Sequence, residues 1–319
     1  MAWLALALAW YWTRRGHWQE AAGWLRAALA DPEELPHDLY VACLCALYSM
    51  VVNVDSPEIV SQNVLQLVRL SRSCEHALLL PGALLLRALS ALDPRAAEAA
   101  CEEALALLDR LQDVEPADEF CLYGTKEPLE ANVLFRYGSL LIRRGAYADA
   151  KRYLAASAAV ERAVGNNDTV ADPLARLGQL ALIEGDMAQA RVHIHGAYDA
   201  VRNSGNAMGL ANWQPLYARL RLYEGDCAAA AQLARDSLVY GHLMQDDVAL
   251  AKATTVLAAA ALQCGYLDEA QRCVLAAWRY FIHARYTRPE QVDCLYVAAR
   301  LAAAQHEHPR AAVLFGLAR

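Results

Sequence analysis

The sequence predicts an all-α solenoid of about eight helix-turn-helix repeats, one domain spanning residues 1–319. Three observations predict it. A short phrase built around a glycine recurs at a fixed interval. Small residues occupy the same places in successive copies. On both sides of each glycine, apolar residues recur at three- and four-residue steps, as in Leu134, Tyr137, Leu141 and Tyr147, Ala150, Leu154, and no alternating strand pattern of useful length occurs.

The chain opens MAWLALALAWYW, and its first cations, Arg14 and Arg15, follow the apolar stretch. A secretory signal carries its cations first, so export is not expected. No apolar run reaches the roughly 20 residues of a membrane-spanning helix. The stretch Arg14–Leu25, RRGHWQEAAGWL, matches Arg143–Leu154, RRGAYADAKRYL. The opening therefore reads as the first helix of repeat one, with its turn near Gly16. Trp3, Trp10 and Trp12 stand on that helix, where no earlier repeat covers them. They are expected at an interface with an absent domain or a second copy.

A degenerate copy follows with its turn near 54, in NVDSPE, and a weaker one near 92, in LDPRAA. Ser56-Pro57 and Asp93-Pro94 each place an N-cap before a proline at the first helical position. The next interval, Leu92 to Gly145, is 53 residues. The excess falls on about 111–128, LQDVEPADEFCLYGTKEP, which reads as an inserted loop or linker. Phe120 and Tyr123 within it would cover the end of a groove. The turns then fall at Gly145, Gly185, Gly225 and Gly265, 40 residues apart, and His306 takes the glycine place 41 residues later. Thr287–Glu290 matches a capping box. The chain stops inside a helix at Arg319, so both ends read as pieces of a longer protein or as surfaces packed on partners.

The columns of the aligned copies sharpen this reading. Seven residues before the turn stand Ala9, Gly138, Gly178, Ala218, Ala258 and Ala299. Five after it stand Ala21, Ala150, Ala190, Ala230, Ala270 and Ala311, and twelve after it Ala28, Ser157, Ala197, Ser237, Ala277 and Ala318. Small side chains at fixed places mark close crossings of helix backbones. Nine after the turn the column is Leu25, Leu154, Ile194, Ala234, Val274 and Phe315, a core position.

Composition excludes several functions. The formal net charge is −7, and no basic stripe appears, so direct nucleic-acid binding is not expected. Nine cysteines are scattered with no CxxC pair. They read as buried thiols of a reducing, cytoplasmic compartment. Gly124-Thr125-Lys126 lacks the frame of a phosphate-binding loop, and no G-x-S-x-G elbow occurs. His193 and His195 point to different faces of a helix, and His193 falls in an apolar column, so it reads as a packed core side chain. His306-Glu-His308 lies in a turn. Asp246-Asp247, Glu102-Glu103 and Asp118-Glu119 read as caps and solvated faces. No catalytic residue, metal or cofactor is expected.

The small–Gly–Ala–small columns resemble the tetratricopeptide repeat, whose offsets they match. The departures are length, 40 residues against about 34, and the missing proline at the end of the second helix. Longer units of this kind resemble the C-terminal arms of STAND-type bacterial regulators, the maltose-activator-like and SARP- or LuxR-type proteins. WYWTRRGHWQEAAGWLRAALA and HPRAAVLFGLAR carry that likeness. The resemblance implies a right-handed superhelix whose concave face is lined by the first helix of each pair. It places Trp3, Asn132, Asp172, Asn212, Lys252 and Asp293 on that face, thirteen residues before the turns. Trp10, Ser139, Gln179, Arg219 and Arg300 follow six before, and Arg136 and Arg176 nine before. The implied function is a non-enzymatic sensing arm of a bacterial transcriptional regulator that binds a peptide, a protein or a small-molecule effector there. A constitutive protein–protein scaffold with no small ligand is the other reading. Implied neighbours are a second copy or a missing N-terminal NTPase or DNA-binding domain. The family's carboxylate clamp for peptide C-termini does not occur in order.

Overall fold

A computed structural model describes residues 1–15, 17–52, 56–111, 125–166, 169–284 and 289–318. Among these it contains sixteen α-helices, one 3-10 turn (Pro32–Glu34) and no strand. The helices are α1 (Ala2–Arg15), α2 (Trp18–Ala28), α3 (His37–Val51), α4 (Pro57–Ser71), α5 (Leu79–Ser90), α6 (Pro94–Arg110), α7 (Lys126–Arg144) and α8 (Tyr147–Ala163). They continue with α9 (Ala171–Glu184), α10 (Met187–Ser204), α11 (Ala207–Tyr223), α12 (Cys227–Met244), α13 (Asp247–Gln263), α14 (Leu267–His283), α15 (Pro289–Ala304) and α16 (His308–Leu317). The opening apolar stretch is a helix followed by its pair, as its repeat register predicts. The turns at 16 and 54, the body of the 111–128 segment with Phe120 and Tyr123, and Thr287 lie outside the described residues.

The chain forms two compact units, Met1–Leu180 and Ala181–Arg319. In the first, α1 packs on α2, α5 on α6 and α7 on α8, and the odd-numbered helices α1, α3, α5 and α7 also touch in sequence. In the second, α11 packs on α12, α13 on α14 and α15 on α16, and α11, α13 and α15 touch in sequence.

One local device closes the first helix of the pairs α7–α8, α9–α10, α11–α12 and α13–α14. Gly145, Gly185, Gly225 and Gly265 take φ of 82°, 78°, 86° and 83°. The left-handed turn lets the glycine N–H close the carbonyl three residues back, while the next N–H reaches five back. At Gly225 these bonds are Gly225 N–H to Leu222 O at 3.1 Å and Asp226 N–H to Arg221 O at 2.9 Å. Asp226 then caps the following helix through the Ala229 N–H at 3.0 Å, and Asp186 does the same for Gln189. Glycine-aspartate is thus a stop and a start in two residues. His306, at φ 61°, makes the same bonds without glycine.

The second helices α8, α10 and α12 end the same way. Gly165, Gly205 and Gln245 have φ of 75°, 65° and 50°, again 40 residues apart. Between Gly145 and Gly265 each repeat is therefore two 20-residue halves, each closed by a left-handed residue. This accounts for the long unit: α8, α10 and α12 run to 17 or 18 residues and need no proline to stop them.

The small columns do the packing assigned to them. Ala218, Ala258, Ala150, Ala190, Ala230, Ala270 and Ala277 are fully buried. A Cβ on Gly138 would meet Leu154 Cγ at 2.8 Å, so helix and side chain touch there. Where the third column holds serine, the hydroxyl is used. Ser157 Oγ donates to Ala131 O at 2.8 Å and Ser237 Oγ to Ala211 O at 3.4 Å, each back to the partner helix. Asp93 caps α6 through the Arg95 N–H at 3.1 Å. Ser56 holds the cap position of α4, but its hydroxyl donates to the Glu58 carboxylate at 2.5 Å, since the acid at the second helical position outcompetes a backbone partner.

Polar links tie neighbouring pairs at the turns. Glu224 accepts from Arg191 Nε of α10 and from Arg221 Nη1 of α11, both at 2.7 Å, and Arg221 Nη2 also reaches Asp226 at 2.6 Å. The Arg191 bond foremost holds the Glu224 carboxyl below its ordinary value. Its stabilisation is therefore full above that ordinary value of about 4.5 and is lost as pH falls through the lowered one.

Replacing Gly225 with alanine at its left-handed φ is expected to destabilise the protein by about 1 kcal/mol, and His306→Gly to stabilise it by about 0.5–1 kcal/mol. Urea melts of the two variants read both signs. Glu224→Gln is expected to lower stability at pH 7 by less than about 1 kcal/mol. The gap from the unsubstituted protein closes in melts taken at progressively lower pH.

Candidate binding face

The face that the resemblance assigns to the first helix of each pair holds polar side chains among apolar ones, and the two units use them differently. In the first unit they are largely taken up by the fold. Asn132 Nδ2 on α7 donates to Pro128 O of its own helix at 2.8 Å. Arg136 Nε and Nη2 both donate to Ala88 O, at 3.1 and 2.9 Å. That carbonyl belongs to the last turn of α5, where a cation also complements the helix dipole. Arg136 is therefore a strap between α7 and α5. Ser139 is half-buried, and its hydroxyl oxygen is buried without a hydrogen-bond partner. On α9, Arg176 Nη1 donates to Gln179 Oε1 at 2.8 Å, and Asp172 stands half-buried one turn earlier.

In the second unit the assigned residues meet one another. Asn212 on α11 donates to Met208 O at 3.2 Å and accepts from Lys252 Nζ of α13 at 3.3 Å. The same ammonium lies 5.7 Å from the ring centre of Trp213, a cation–π contact. Arg219 on α11 pairs with Asp293 on α15, two helix pairs away. The matching place on the intervening α13 is Ala259. Arg219 keeps 26% of its side chain exposed and Asp293 53%, so the pair is wet and weak. Nε of Arg219 is buried with no hydrogen-bond partner. Arg300, one turn-pair beyond Asp293 on α15, is exposed. Of the assigned residues in this unit three are cations, Arg219, Lys252 and Arg300, and one is an acid, Asp293, on a chain of net charge −7.

The tryptophans part company. Trp3 is 44% exposed, whereas Trp12 is buried in the core of the first unit at 7%, so its ring is not part of an open surface. The Trp10 side chain lies outside the described residues. The outward stripe of α1 is instead Leu4, Leu8 and Tyr11, all exposed beside Trp3. Trp213 was not among the residues the columns selected. It stands one place beyond Asn212 on α11.

The histidine pair serves packing. His193 is half-buried, and His195 meets Tyr217 edge-on at 4.8 Å while Tyr198 stacks on that ring at 4.3 Å. Tyr217 thereby locks α11 to α10. The first unit has a counterpart in Tyr137, whose hydroxyl donates to Glu102 Oε1 at 2.5 Å and whose ring lies 4.7 Å from Tyr153. Burial and the Glu102 carboxylate push its pKa up, so it stays a donor. Among the described residues no three histidines, cysteines or acids are grouped to hold a metal ion. No helix among them is long and apolar enough to cross a membrane.

No protein-family model and no curated protein sequence matches the chain. Solved structures do match in fold. Aspartyl phosphate phosphatase F from Bacillus subtilis superposes with a TM-score of 0.66 at 9% identity, over 100% of this chain and 93% of that one. A Rap protein complexed with competence and sporulation factor gives 0.61 at 12%, covering 99% and 96%. NprR in complex with its cognate peptide NprX gives 0.58 at 15%, covering 85% and 75%. These likenesses establish an all-α helical-repeat fold of the tetratricopeptide-like kind.

Arg136→Ala is expected to cost about 1–2 kcal/mol, because two donors leave a helix-end carbonyl. By contrast, a double-mutant cycle of Arg219→Ala with Asp293→Ala is expected to give a coupling below about 1 kcal/mol that shrinks with added salt.

Proposed function

We propose that the chain is a non-enzymatic binding domain that takes an extended peptide segment along the first-helix face of its repeats. The observation that carries this reading is a set of contacts on the first helices of the second unit: Lys252 meets Asn212, Arg219 meets Asp293, and the buried Nε of Arg219 lacks a partner. With Arg300 these residues make up the proposed face. A buried donor left unmade is costly and is the kind of group a ligand satisfies. Its excess of cations favours a segment carrying acidic side chains or a free carboxylate. The fold likeness to NprR in complex with its peptide and to a Rap protein complexed with a factor supports the peptide reading. We further propose that binding serves as signal sensing within a bacterial regulator, with a small-molecule effector as the alternative occupant of the same face.

A constitutive protein–protein scaffold is the second reading, favoured by the exposed apolar stripe of α1. Tyr11 there is 48% exposed, while Leu140, Leu180 and Leu220 at the same repeat position are buried. Exposed apolar patches of this kind mark contact surfaces.

Fluorescence-polarisation titrations with acidic, neutral and basic peptide pools test the first reading. Acidic peptides are expected to bind best and to weaken with salt. Arg219→Ala and Lys252→Ala are each expected to weaken them about tenfold while leaving the melting temperature nearly unchanged. No preference among the pools, together with a stable protein complex lost on Leu4→Ser with Leu8→Ser, would favour the scaffold.

A further inference from the structure

The repeat register shows what covers each helix pair. Ala260, five residues before its turn, shares an apolar cluster with Ala234, nine after the preceding turn. Leu301, five before the turn at His306, likewise clusters with Val274, nine after Gly265. Cys294, twelve before His306, clusters with Ala251, fourteen before Gly265. Positions fourteen before and nine after a turn thus receive positions twelve and five before the next one. In earlier repeats they are closed. Ala131, Ala171, Ala211 and Ala251, all fourteen before a turn, are at most 1% exposed, and Leu25, Leu154, Ile194 and Ala234, nine after one, are buried. On α15 and α16 both positions lie open. Val292 is 42% exposed, and Phe315 is exposed as well. Tyr296, ten before the turn, where Ala175 and Thr255 are buried, is exposed and meets the Phe315 ring edge-on at 5.7 Å. Val292 and Tyr296 are larger than those equivalents, which adds apolar area to the open side. The opposite side is open on α1. Leu4 stands twelve before its turn and Tyr11 five before, and both are exposed, as is Leu8 between them. At the same two positions Val133, Trp213 and Ala253, and Leu140, Leu180 and Leu220, are buried.

We propose that the open side of α15 and α16 receives α1 of a second copy of this chain, so that copies associate head to tail. The register names the occupant. The open side of α15 and α16 is the kind that takes residues twelve and five before a turn, and α1 presents such residues, Leu4 and Tyr11, to solvent. Leu4 then covers Val292, and Tyr11 covers Phe315 and Tyr296, which continues between copies the contact that each repeat makes with the next. Burying these side chains drives the association, and the aromatic rings contribute most of the area. The contact is heterologous, since a copy gives one side and receives on the other, and a copy blocked on one side still associates through its other. The proposal assigns the α1 stripe to a second copy in place of the foreign protein of the scaffold reading. It uses none of the residues of the peptide face and does not rest on the peptide reading.

Sedimentation velocity of the full chain over a concentration series tests this. The mass is expected to rise with concentration and to fall back on dilution. A head block, Leu4→Glu with Tyr11→Glu, and a tail block, Val292→Glu with Tyr296→Glu, are each expected to weaken self-association at least about tenfold. All four side chains are exposed, and melting curves in dilute solution are expected to match those of the unsubstituted protein. Tyr11→Ser and Tyr296→Ser repeat the two blocks without added charge. Mixed in equal amounts, the head-blocked and tail-blocked variants are expected to form a dimer of one copy of each and nothing larger. Arg219→Ala is expected to leave self-association unchanged, which separates this contact from peptide binding. The proposal is overturned by a chain that stays monomeric at every concentration, by self-association that survives either block, or by blocked variants that do not pair on mixing.

Discussion

The fold depends on a stop. Every twenty residues from 145 to 265 the helix is closed by a residue in the left-handed region, Gly145, Gly165, Gly185, Gly205, Gly225, Gln245 and Gly265. Each such residue turns two N–H groups back onto the last free carbonyls and points the chain into the next helix. The stop also sets phase. A helix turns about 100° per residue, so moving a stop by one place would rotate every side chain of the following helix off its contact. Gly138 meets Leu154 only because the count between them across Gly145 is kept. The fully buried alanines five after each turn are the consequence of that phase, not an independent cause of it.

The same phase places polar groups. Once the small columns face inward between helices, the remaining positions of each first helix repeat as columns as well, and what stands in them need not pack. In the first unit Arg136 uses its position to hold the carbonyl end of α5. In the second, Arg219 and Asp293 reach past a column position where only an alanine stands. The difference is one of partners within reach. Arg136 finds a helix terminus, whose carbonyl has no partner within its helix, whereas Arg219 finds a half-exposed carboxylate that water serves nearly as well. A strap of the first sort adds stability. A pair of the second sort adds little and is readily exchanged.

Most of the helical framework could be read from the sequence, because its signals are local: a glycine, a following aspartate, an alanine at a fixed offset. His306 was legible by position alone, and the structure shows it in the glycine conformation. The stops at Gly165, Gly205 and Gln245 were missed although they share the spacing, since the residues around them, GNN, GNA and QDD, do not repeat as a phrase. Side-chain partners were the illegible part. Nothing local says that Arg136 reaches a carbonyl 48 residues earlier or that Arg219 reaches an acid 74 residues later. Trp12 and Trp3 looked alike as exposed aromatics, and only the packing of α1 separates the buried ring from the open one. Serine in a column of alanines read as a size choice, while Ser157 and Ser237 are hydrogen-bond donors to the partner helix as well.

The polar columns stand on packed helices, and this bears on what binding would cost. A peptide laid along Asn212, Lys252 and Arg219 needs α11 and α13 at one spacing. Any freedom of one helix pair against the next must be lost on binding, and that loss is subtracted from the affinity. Packing of Val256 and Ala260 against Ala230 and Ala234 removes part of this freedom beforehand. The Tyr217 stack with Tyr198 and the Glu224 bonds to Arg191 and Arg221 remove more at α10 and α11.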